Sequence, residues 1–254
     1  MINEILRDMI NQGKVAAFVD DMLVGTEVEE GHDEVVDEVL RRLEENDLYV
    51  KPEKCVWKVR KVLLLGVVMG EERVEIEEDK VEEVLKWPTP QCVRDVRKFL
   101  GLANYYRHFV KSFAKVALSM NRLTRKNKKW KWGEEQQAAF EQLKLVFTTR
   151  PVLATPELDK EFRVEADASN FTTGGVLFVK CDDNLWRPVA LISKALNKTE
   201  RNYKIHNKEM LGVIRCLEAW RHFLEGTRLK FEIWMDHKNL EYFMSSQNLN
   251  CRQA

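Results

Sequence analysis

The sequence lacks several patterns that would restrict its chemistry. Its five cysteines form no CxxC pair, which argues against a zinc knuckle and against a disulfide framework. No apolar run approaches the roughly 18 residues needed to span a bilayer, and Met1 to Asn11 carries no basic-then-apolar signal. We therefore expect an intracellular protein with reduced thiols and no membrane segment. The thiols are Cys55, Cys92, Cys181, Cys216 and Cys251.

Net charge is also absent, because 41 basic residues balance 41 acidic ones over 254 residues. The five histidines show no metal-ligand spacing, and neither a Ser/His/Asp arrangement nor a glycine-rich phosphate loop stands out. What is present is a hydrophobic content of 44%, enough for a core in one large or two ordinary domains. Any function must therefore be sought in local clusters of charge.

The hydrophobic pattern predicts an α/β (α+β) protein in three segments. Residues 1–78 combine a hairpin near Lys14 to Val24, an amphipathic helix to Glu45, and strands at Val62 to Met69 and Arg73 to Ile76. Residues 79–150 have helical spacing. In residues 151–254 a proline-containing linker, Pro151 to Leu158, precedes four short strands and one helix. The strands are predicted at Phe162 to Ala168, Gly175 to Lys180, Pro188 to Ile192 and Leu229 to Met235, and the helix at Asn207 to Leu224 with the apolar stripe Met210, Val213, Ile214, Leu217, Trp220 and Leu224.

Asp20 and Asp21 form an FVDD sequence at the predicted hairpin tip. Paired carboxylates on a rigid hairpin suit a divalent metal that prefers oxygen ligands. Aspartates are also common turn formers, and this alternative is the simpler explanation of the tetrapeptide alone.

Three acids in the last segment form a second candidate site. Strand alternation places Asp167 on the face opposite Phe162, Val164 and Ala166, and gives Asp236 the same sidedness at the end of a later strand. Glu209 is predicted in the first turn of the intervening helix, where an acid also suits the helix dipole without any catalytic role. Two strand ends and a helix start can converge to hold two metals ~4 Å apart for phosphodiester hydrolysis.

No acid occurs between Val96 and Gly133, which predicts a concentrated cationic surface that neutralises phosphates. The aromatic side chains of this stretch are either helix core or stacking surfaces for sugar and base, and Trp130 and Trp132 are the open cases. The predicted nucleic-acid contacts are Arg107, Lys111, Lys115, Arg122, Arg125, Lys126, Lys128, Lys129 and Lys131.

Taken in order, FVDDMLVGT, LYVKPEKC, KWPTP, FLGLANYYRHFV, PVLATPE, EADAS, NKEML, WRHFLEG and MDHKNLEYF resemble the polyproteins of gypsy-type LTR retrotransposons over essentially the whole chain. The resemblance implies a reverse transcriptase palm with a primer grip at Leu63 to Ile76, a helical thumb or connection over residues 79–150, and an RNase H domain over residues 151–254. It implies RNA-templated DNA synthesis and cleavage of RNA in RNA–DNA hybrids.

The resemblance also assigns roles to the acids. Asp20 is similar to a metal-binding polymerase aspartate and Asp21 to its neighbour, while Asp167, Glu209 and Asp236 match the first three RNase H carboxylates. The implied cofactor is Mg²⁺, with Mn²⁺ as an alternative. The implied partners are primer–template nucleic acid and RNA–DNA hybrid, and the implied location is the cytoplasm or a virus-like particle, with the nucleus as an alternative.

Departures from the family pattern lead to further expectations. Another polymerase aspartate and the fingers would lie before Met1, and a last strand, a helix and a fourth acid would follow Ala254, so we expect both active sites to be incomplete in this chain. Gly212 replaces a small helix former. An alternative hypothesis is therefore a degenerate or domesticated relic that binds nucleic acid or a protein partner without catalysis.

Overall fold

The computed structural model describes residues 2–26, 28–70, 73–149 and 152–235. The chain divides into two compact units, residues 1–65 and 66–254. The mixture of helices and strands confirms the predicted α/β class. None of the helices in the described ranges is both long enough and apolar enough to cross a membrane.

The first unit is a small α/β assembly. Its core consists of Leu6, Met9, Val15, Val39 and Leu43. Its elements are α1 (Ile2–Ile5), α2 (Arg7–Asn11), β1 (Val15–Phe18), β2 (Asp21–Val24), α3 (His32–Glu45), a 3₁₀ turn (Pro52–Lys54) and β3 (Val62–Leu64). Strands β1 and β2 pair antiparallel, with Phe18 opposite Asp21. The predicted hairpin and amphipathic helix are confirmed.

The predicted strand over Val62 to Met69 is interrupted in the structure. Leu65 and Gly66 both have positive φ, 51° and 74°, and break the run between β3 and the next strand. Gly66 suits this conformation because it has no Cβ, and an added Cβ would lie 2.7 Å from the Tyr106 hydroxyl. Burial raises the pKa of Tyr106 to about 12.

Helices dominate the first half of the second unit, as predicted. After β4 (Val67–Met69) and β5 (Arg73–Ile76) come α4 (Glu78–Leu85), α5 (Val93–Tyr105), a 3₁₀ turn (Arg107–Phe109), α6 (Phe113–Val116), α7 (Leu118–Leu123) and α8 (Glu134–Thr148). Phe99, Phe140 and Phe147 are almost fully buried between them. Val176 and Leu191 belong to the same core, so these helices pack on the sheet that follows.

The predicted linker after Pro151 contains a strand. Leu153 and Ala154 form β6, which pairs antiparallel with β5, opposite Val74 and Arg73. Both residues of β6 are buried. A two-residue strand is too short to produce a detectable alternation, which is why sequence periodicity missed it.

The main sheet has the order β10-β7-β8-β9. Its strands are β7 (Phe162–Ala168), β8 (Thr172–Lys180), β9 (Trp186–Ala195) and β10 (Glu232–Met235). Strands β7, β8 and β9 form an antiparallel meander, and β10 joins β7 in parallel with Met235 opposite Ala166. All four predicted strands are present, although β8 and β9 are longer than predicted and β10 begins at Glu232 rather than at Leu229.

The predicted helix over Asn207 to Leu224 is two helices with an earlier start. They are α9 (Ile205–Ala219) and α10 (Arg221–Leu224), separated at Trp220. The predicted stripe is also partly wrong, because Ile214 is 44% exposed. Val213 of the stripe does face the sheet, together with Gly212 and Cys216, which the stripe does not include. The prediction from helical spacing considers apolar residues only. The short distance between α9 and the sheet also favours small side chains at the contact.

Candidate catalytic and nucleic-acid-binding sites

The first pair of acids lies at the tip of the β1–β2 hairpin. Asp20 follows Val19 in the turn, Asp21 begins β2, and both carboxylates are exposed. Val19 has a φ of 54°, which a β-branched side chain rarely adopts. Strained backbone of this kind is concentrated at functional sites, so the turn fits a functional hairpin better than a simple connection.

Asp167 lines a cleft on the main sheet. The cleft has a volume of about 400 Å³ and is lined by Asp167, Glu165, Lys111, Ser112 and Trp234, among others. Asp167 is exposed, while Ala166 beside it is buried, which agrees with the predicted alternation. A carboxylate pair and a lysine therefore share one concave surface, where an anionic substrate and a cation can both be held.

Glu209 lies on α9, which packs on the other face of the sheet. Because α9 begins at Ile205, Glu209 is one turn inside the helix and the predicted first-turn position is wrong. Its side chain is 8% exposed. An added Cβ at Gly212 would lie 3.5 Å from the carbonyl oxygen of Asp167, so the helix touches the strand one turn away from Glu209.

Two hydrogen bonds fix the direction of α9 relative to the end of β7. The Arg215 guanidinium donates to Thr173 Oγ1 at 2.9 Å. About two turns closer to the helix start, the Lys208 ammonium donates to Asn170 Oδ1 at 3.3 Å. The helix therefore approaches the turn after Ala168 as it runs back towards Glu209. This places Glu209 near the carboxyl end of β7, where Asp167 lies.

The third predicted RNase H carboxylate, Asp236, lies outside the described residues. Across residues 2–26, 28–70, 73–149 and 152–235, no group of three or more His, Cys, Asp or Glu side chains is arranged to hold a metal ion. The donors of both candidate sites are carboxylate oxygens, which is the chemistry that Mg²⁺ prefers. The residues therefore fit a divalent metal by donor type.

The acid-free stretch between Val96 and Gly133 contains cations without an ion pair to any described acid and cations that contact other protein groups. The cations without an ion pair include those of the loop of residues 124–133 between α7 and α8, hereafter the basic loop. Five cations of this loop are exposed and form no ion pair with the described acids: Arg125, Lys126, Lys128, Lys129 and Lys131. Lys115 is also exposed, and Lys111 lines the cleft with Asp167.

Two predicted nucleic-acid contacts, Arg107 and Arg122, also have partners within the protein. Arg107 donates a hydrogen bond to the carbonyl oxygen of Ser193 and is half-buried. The Arg122 guanidinium lies 3.6 Å from the Glu135 carboxylate and 5.7 Å from the centre of the Phe171 ring. Their first role is to connect the helices to the sheet, which charge alone could not reveal.

Phe171 is a surface feature that the sequence pattern did not indicate. It is 43% exposed in the β7–β8 turn, and Arg201 also lies against its ring, 5.8 Å from the centre. Phe171, Arg201 and Arg122 come from distant parts of the chain, so no local sequence motif indicates that they lie together. They form a cationic rim close to the end of β7.

Known families match two separate parts of the chain, one containing the hairpin acids and the other containing Asp167 and Glu209. Residues 1–69 match the family described as reverse transcriptase (RNA-dependent DNA polymerase), and residues 132–233 match the RNase H-like domain found in reverse transcriptase. The transposon Tf2-3 and Tf2-7 polyproteins of Schizosaccharomyces pombe are 34% and 33% identical over 239 residues. These matches cover 94% of this chain but only 18% of each polyprotein.

Solved structures share the fold. The foamy viral protease-reverse transcriptase in complex with RNA/DNA hybrid superposes with a TM-score of 0.78 at 18% identity, over 98% of this chain and 34% of that chain. The dRH form in complex with double-stranded DNA has the same TM-score over 97% of this chain and 43% of that chain. At this identity the likeness concerns the arrangement of the backbone.

Proposed function

Because this chain belongs to the reverse transcriptase and RNase H polyproteins of gypsy-type retrotransposons, we propose that it serves the copying of RNA into DNA and the degradation of RNA in RNA–DNA hybrids. The observation that carries the proposal is the pair of separate carboxylate sites. Asp20 and Asp21 occupy a strained hairpin tip in the first unit, and Asp167 and Glu209 approach the carboxyl end of β7 in the second.

In the polymerase reaction, Asp20 and Asp21 would hold the divalent metal at the hairpin tip. Their exposure leaves the carboxylate oxygens accessible to a primer end and a nucleotide. The pairing of Phe18 with Asp21 fixes one carboxylate to the strand ladder, and the short turn holds Asp20 directly beside it. Metal at this point would activate the primer hydroxyl and stabilise the departing pyrophosphate.

In the hydrolytic reaction, Asp167, Glu209 and Asp236 are the proposed metal ligands, with Mg²⁺ as the preferred ion and Mn²⁺ as a substitute. Metal held there would supply a water molecule of lowered pKa. Asp167 and Glu165 present negative charge inside the cleft, while Lys111 on its wall attracts the phosphate of the strand to be cut. The cleft thus orients the phosphodiester between cation and carboxylates.

Nucleic acid is the proposed partner of both sites. The basic loop together with Lys111 and Lys115 offers exposed positive charge that no described acid neutralises. Such charge binds the phosphate backbone with strong salt dependence. The similar foamy viral proteins were solved in complex with double-stranded DNA and with RNA/DNA hybrid, which supports this choice.

Cleavage of labelled RNA–DNA hybrid in the presence of Mg²⁺ tests the hydrolytic half of the proposal. The assay uses this chain and a polypeptide extended to the span of the Tf2 polyproteins' reverse transcriptase region. In the extended polypeptide, Asp167→Asn and Glu209→Gln should each reduce the cleavage rate at least ~100-fold with little change in hybrid affinity, because the loss concerns metal ligands.

Asp159→Asn is the matched control, since Asp159 is an exposed aspartate of the same unit that does not line the cleft. It should cleave at the unmodified rate. Primer extension by the extended polypeptide, measured in parallel, should be lost in Asp20→Asn. It should be retained in the control variant Asp37→Asn. Full cleavage by Asp167→Asn, or no cleavage by the extended polypeptide, would refute the catalytic assignment and favour a relic that only binds.

A further inference from the structure

The basic loop carries an exposed tryptophan among its cations. Trp130 is 38% exposed and lies between Lys129 and Lys131. Its ring stacks on Trp132, with centroids 5.9 Å apart and planes inclined by 22°. Among the described aromatic rings, Trp132 is its one partner, and the part of the indole ring that remains exposed, hereafter its open face, is the surface left for a further ring.

Trp132 fixes the position of this stack. Its indole nitrogen donates a hydrogen bond to Gln137 Oε1 at 2.7 Å, and its ring contacts Phe140 edge-on with centroids 6.1 Å apart. Phe140 is fully buried in the helical core. Trp130 is therefore stacked on a ring that is itself anchored, and little conformational freedom remains to be lost when a further ring adds to the open face.

The ends of the basic loop are also held. Arg97 donates a hydrogen bond to the carbonyl oxygen of Thr124 at 3.1 Å, and the Gly133 backbone N–H donates to Gln136 Oε1 at 3.1 Å. Asn127 adopts a left-handed conformation with a φ of 62° that turns the chain between them. The lysines are thereby presented around Trp130 by a short, pinned loop rather than by a free tail.

The charge near this stack is positive. Glu134 and Glu135 at the start of α8 are the nearest acids in sequence, and Glu135 pairs with Arg122. The cations of the basic loop have no such partner among the described residues. An occupant must therefore combine repeated negative charge with a flat aromatic face.

We propose that the basic loop is a binding site for single-stranded nucleic acid, in which an unpaired base stacks on the open face of Trp130 while neighbouring phosphates contact Lys128, Lys129 and Lys131. The phosphates of a duplex can contact the lysines, but the bases of a duplex already stack on one another and offer no free face to Trp130. An unpaired strand can provide both the phosphate contacts and the base that stacks on Trp130. The proposal rests on the nucleic-acid function given above and adds strand selectivity to it.

Fluorescence anisotropy with labelled oligonucleotides tests this site in the complete chain. The probes are a 20-nucleotide single strand of mixed sequence and a blunt-ended RNA–DNA hybrid of the same length. Trp130→Ala should weaken single-strand binding at least ~5-fold, since stacking contributes roughly 1–3 kcal/mol per base. Binding of the hybrid should change less than ~2-fold.

The salt dependence separates stacking from charge. Trp130→Ala should leave the slope of log affinity against log salt unchanged, because no cation is removed. Replacing Lys128 and Lys129 together by Ala should weaken both probes and reduce the single-strand slope by roughly 1.4, because each phosphate that is no longer neutralised removes ~0.7 from the slope.

Two controls keep the result interpretable. Trp57→Ala removes a half-exposed tryptophan of the first unit and should bind both probes normally. Trp130→Tyr keeps an aromatic face and should recover most of the single-strand affinity, which excludes misfolding as the cause of a loss. Equal losses on both probes, or unchanged single-strand binding by Trp130→Ala, would overturn the proposal. Neither outcome depends on catalysis, so loss of this site and failure of the proposed reactions can be told apart.

Discussion

The β1–β2 hairpin and the main sheet carry acids of the same chemical type in opposite settings. Asp20 and Asp21 are exposed on a two-stranded hairpin beside a core of five buried side chains. Asp167 lies next to the last residue of an inner strand of a four-stranded sheet, and Glu209 is buried on the helix that covers this strand. The hairpin positions its carboxylates by turn geometry, whereas the sheet positions them by helix–strand packing.

This difference predicts where mutations act. Changes at the hairpin tip alter chemistry with little effect on folding, because the side chains contact solvent. Changes at the α9–sheet contact alter folding first, because that contact sets the distance between strand and helix. The predictions below test the contact in order of decreasing effect.

The largest effect is expected from the partly buried ion pair between Arg215 and Glu200. Arg215 donates to Glu200 Oε1 at 2.8 Å and also to Thr173, so it joins α9 to β8 and to the preceding turn. Arg215→Met should lower the free energy of unfolding by about 2 kcal/mol, since it leaves a mostly shielded carboxylate, with a side chain 15% exposed, without its cation. Urea unfolding measures this loss, and a loss below ~1 kcal/mol would contradict the structural role. Arg221→Met is the control, because its ion pair with Glu225 is exposed.

Gly175 should tolerate no larger residue. An added Cβ would lie 2.3 Å from Cys216 Sγ and 3.0 Å from the carbonyl oxygen of Glu165. Gly175→Ala should therefore destabilise the second unit by about 1–3 kcal/mol by forcing α9 away from β7 and β8. Thermal unfolding followed by circular dichroism measures it. Unchanged stability would mean that the helix packs less closely on the sheet than these distances require.

Gly212 provides the opposite test on the same helix. An added Cβ there would meet the Asp167 carbonyl oxygen at 3.5 Å, an ordinary contact. Gly212→Ala should stabilise the protein by about 1 kcal/mol, because alanine has the higher helix propensity. The same melting experiment applies, and a decrease in stability would indicate that helix and strand are closer than the structure gives.

The smallest effect concerns pH. Burial alone would raise the pKa of Glu200, but hydrogen bonds from the Asn197 backbone and from Arg215 outweigh it, so the pKa is lowered from its usual 4.5. A lowered folded-state pKa gives stability that is present above pH 4.5 and is lost as the pH falls through the folded-state value. Glu200→Gln should flatten the decline in unfolding free energy below pH 4.5. An identical decline in the variant would assign it to other acids.

Much of this arrangement was predictable from the sequence, for identifiable physical reasons. Alternation over seven residues placed β7 and the sidedness of Asp167 correctly, and helical spacing gave α3 and α8. The contact face of α9 was not predictable, because the close approach there depends on Gly175 of β8 lying against Cys216 of α9, and apolar spacing within one element does not relate these two residues. Charge alone predicts Arg107 and Arg122 as nucleic-acid contacts, but it does not indicate their tertiary contacts with Ser193 and Phe171, which join distant parts of the chain.

Paramagnetic broadening by Mn²⁺ tests whether Asp167 and Glu209 share a metal site, because it reports which backbone amides lie near bound metal. In a titration of the isotope-labelled chain, signals of residues 166–169 and 208–210 should broaden together at the lowest Mn²⁺ concentrations, and Asp167→Asn should abolish the effect at both segments. Broadening that begins at the acid-rich residues of α4, with Asp167 and Glu209 unaffected, would contradict a metal site shared by these two carboxylates.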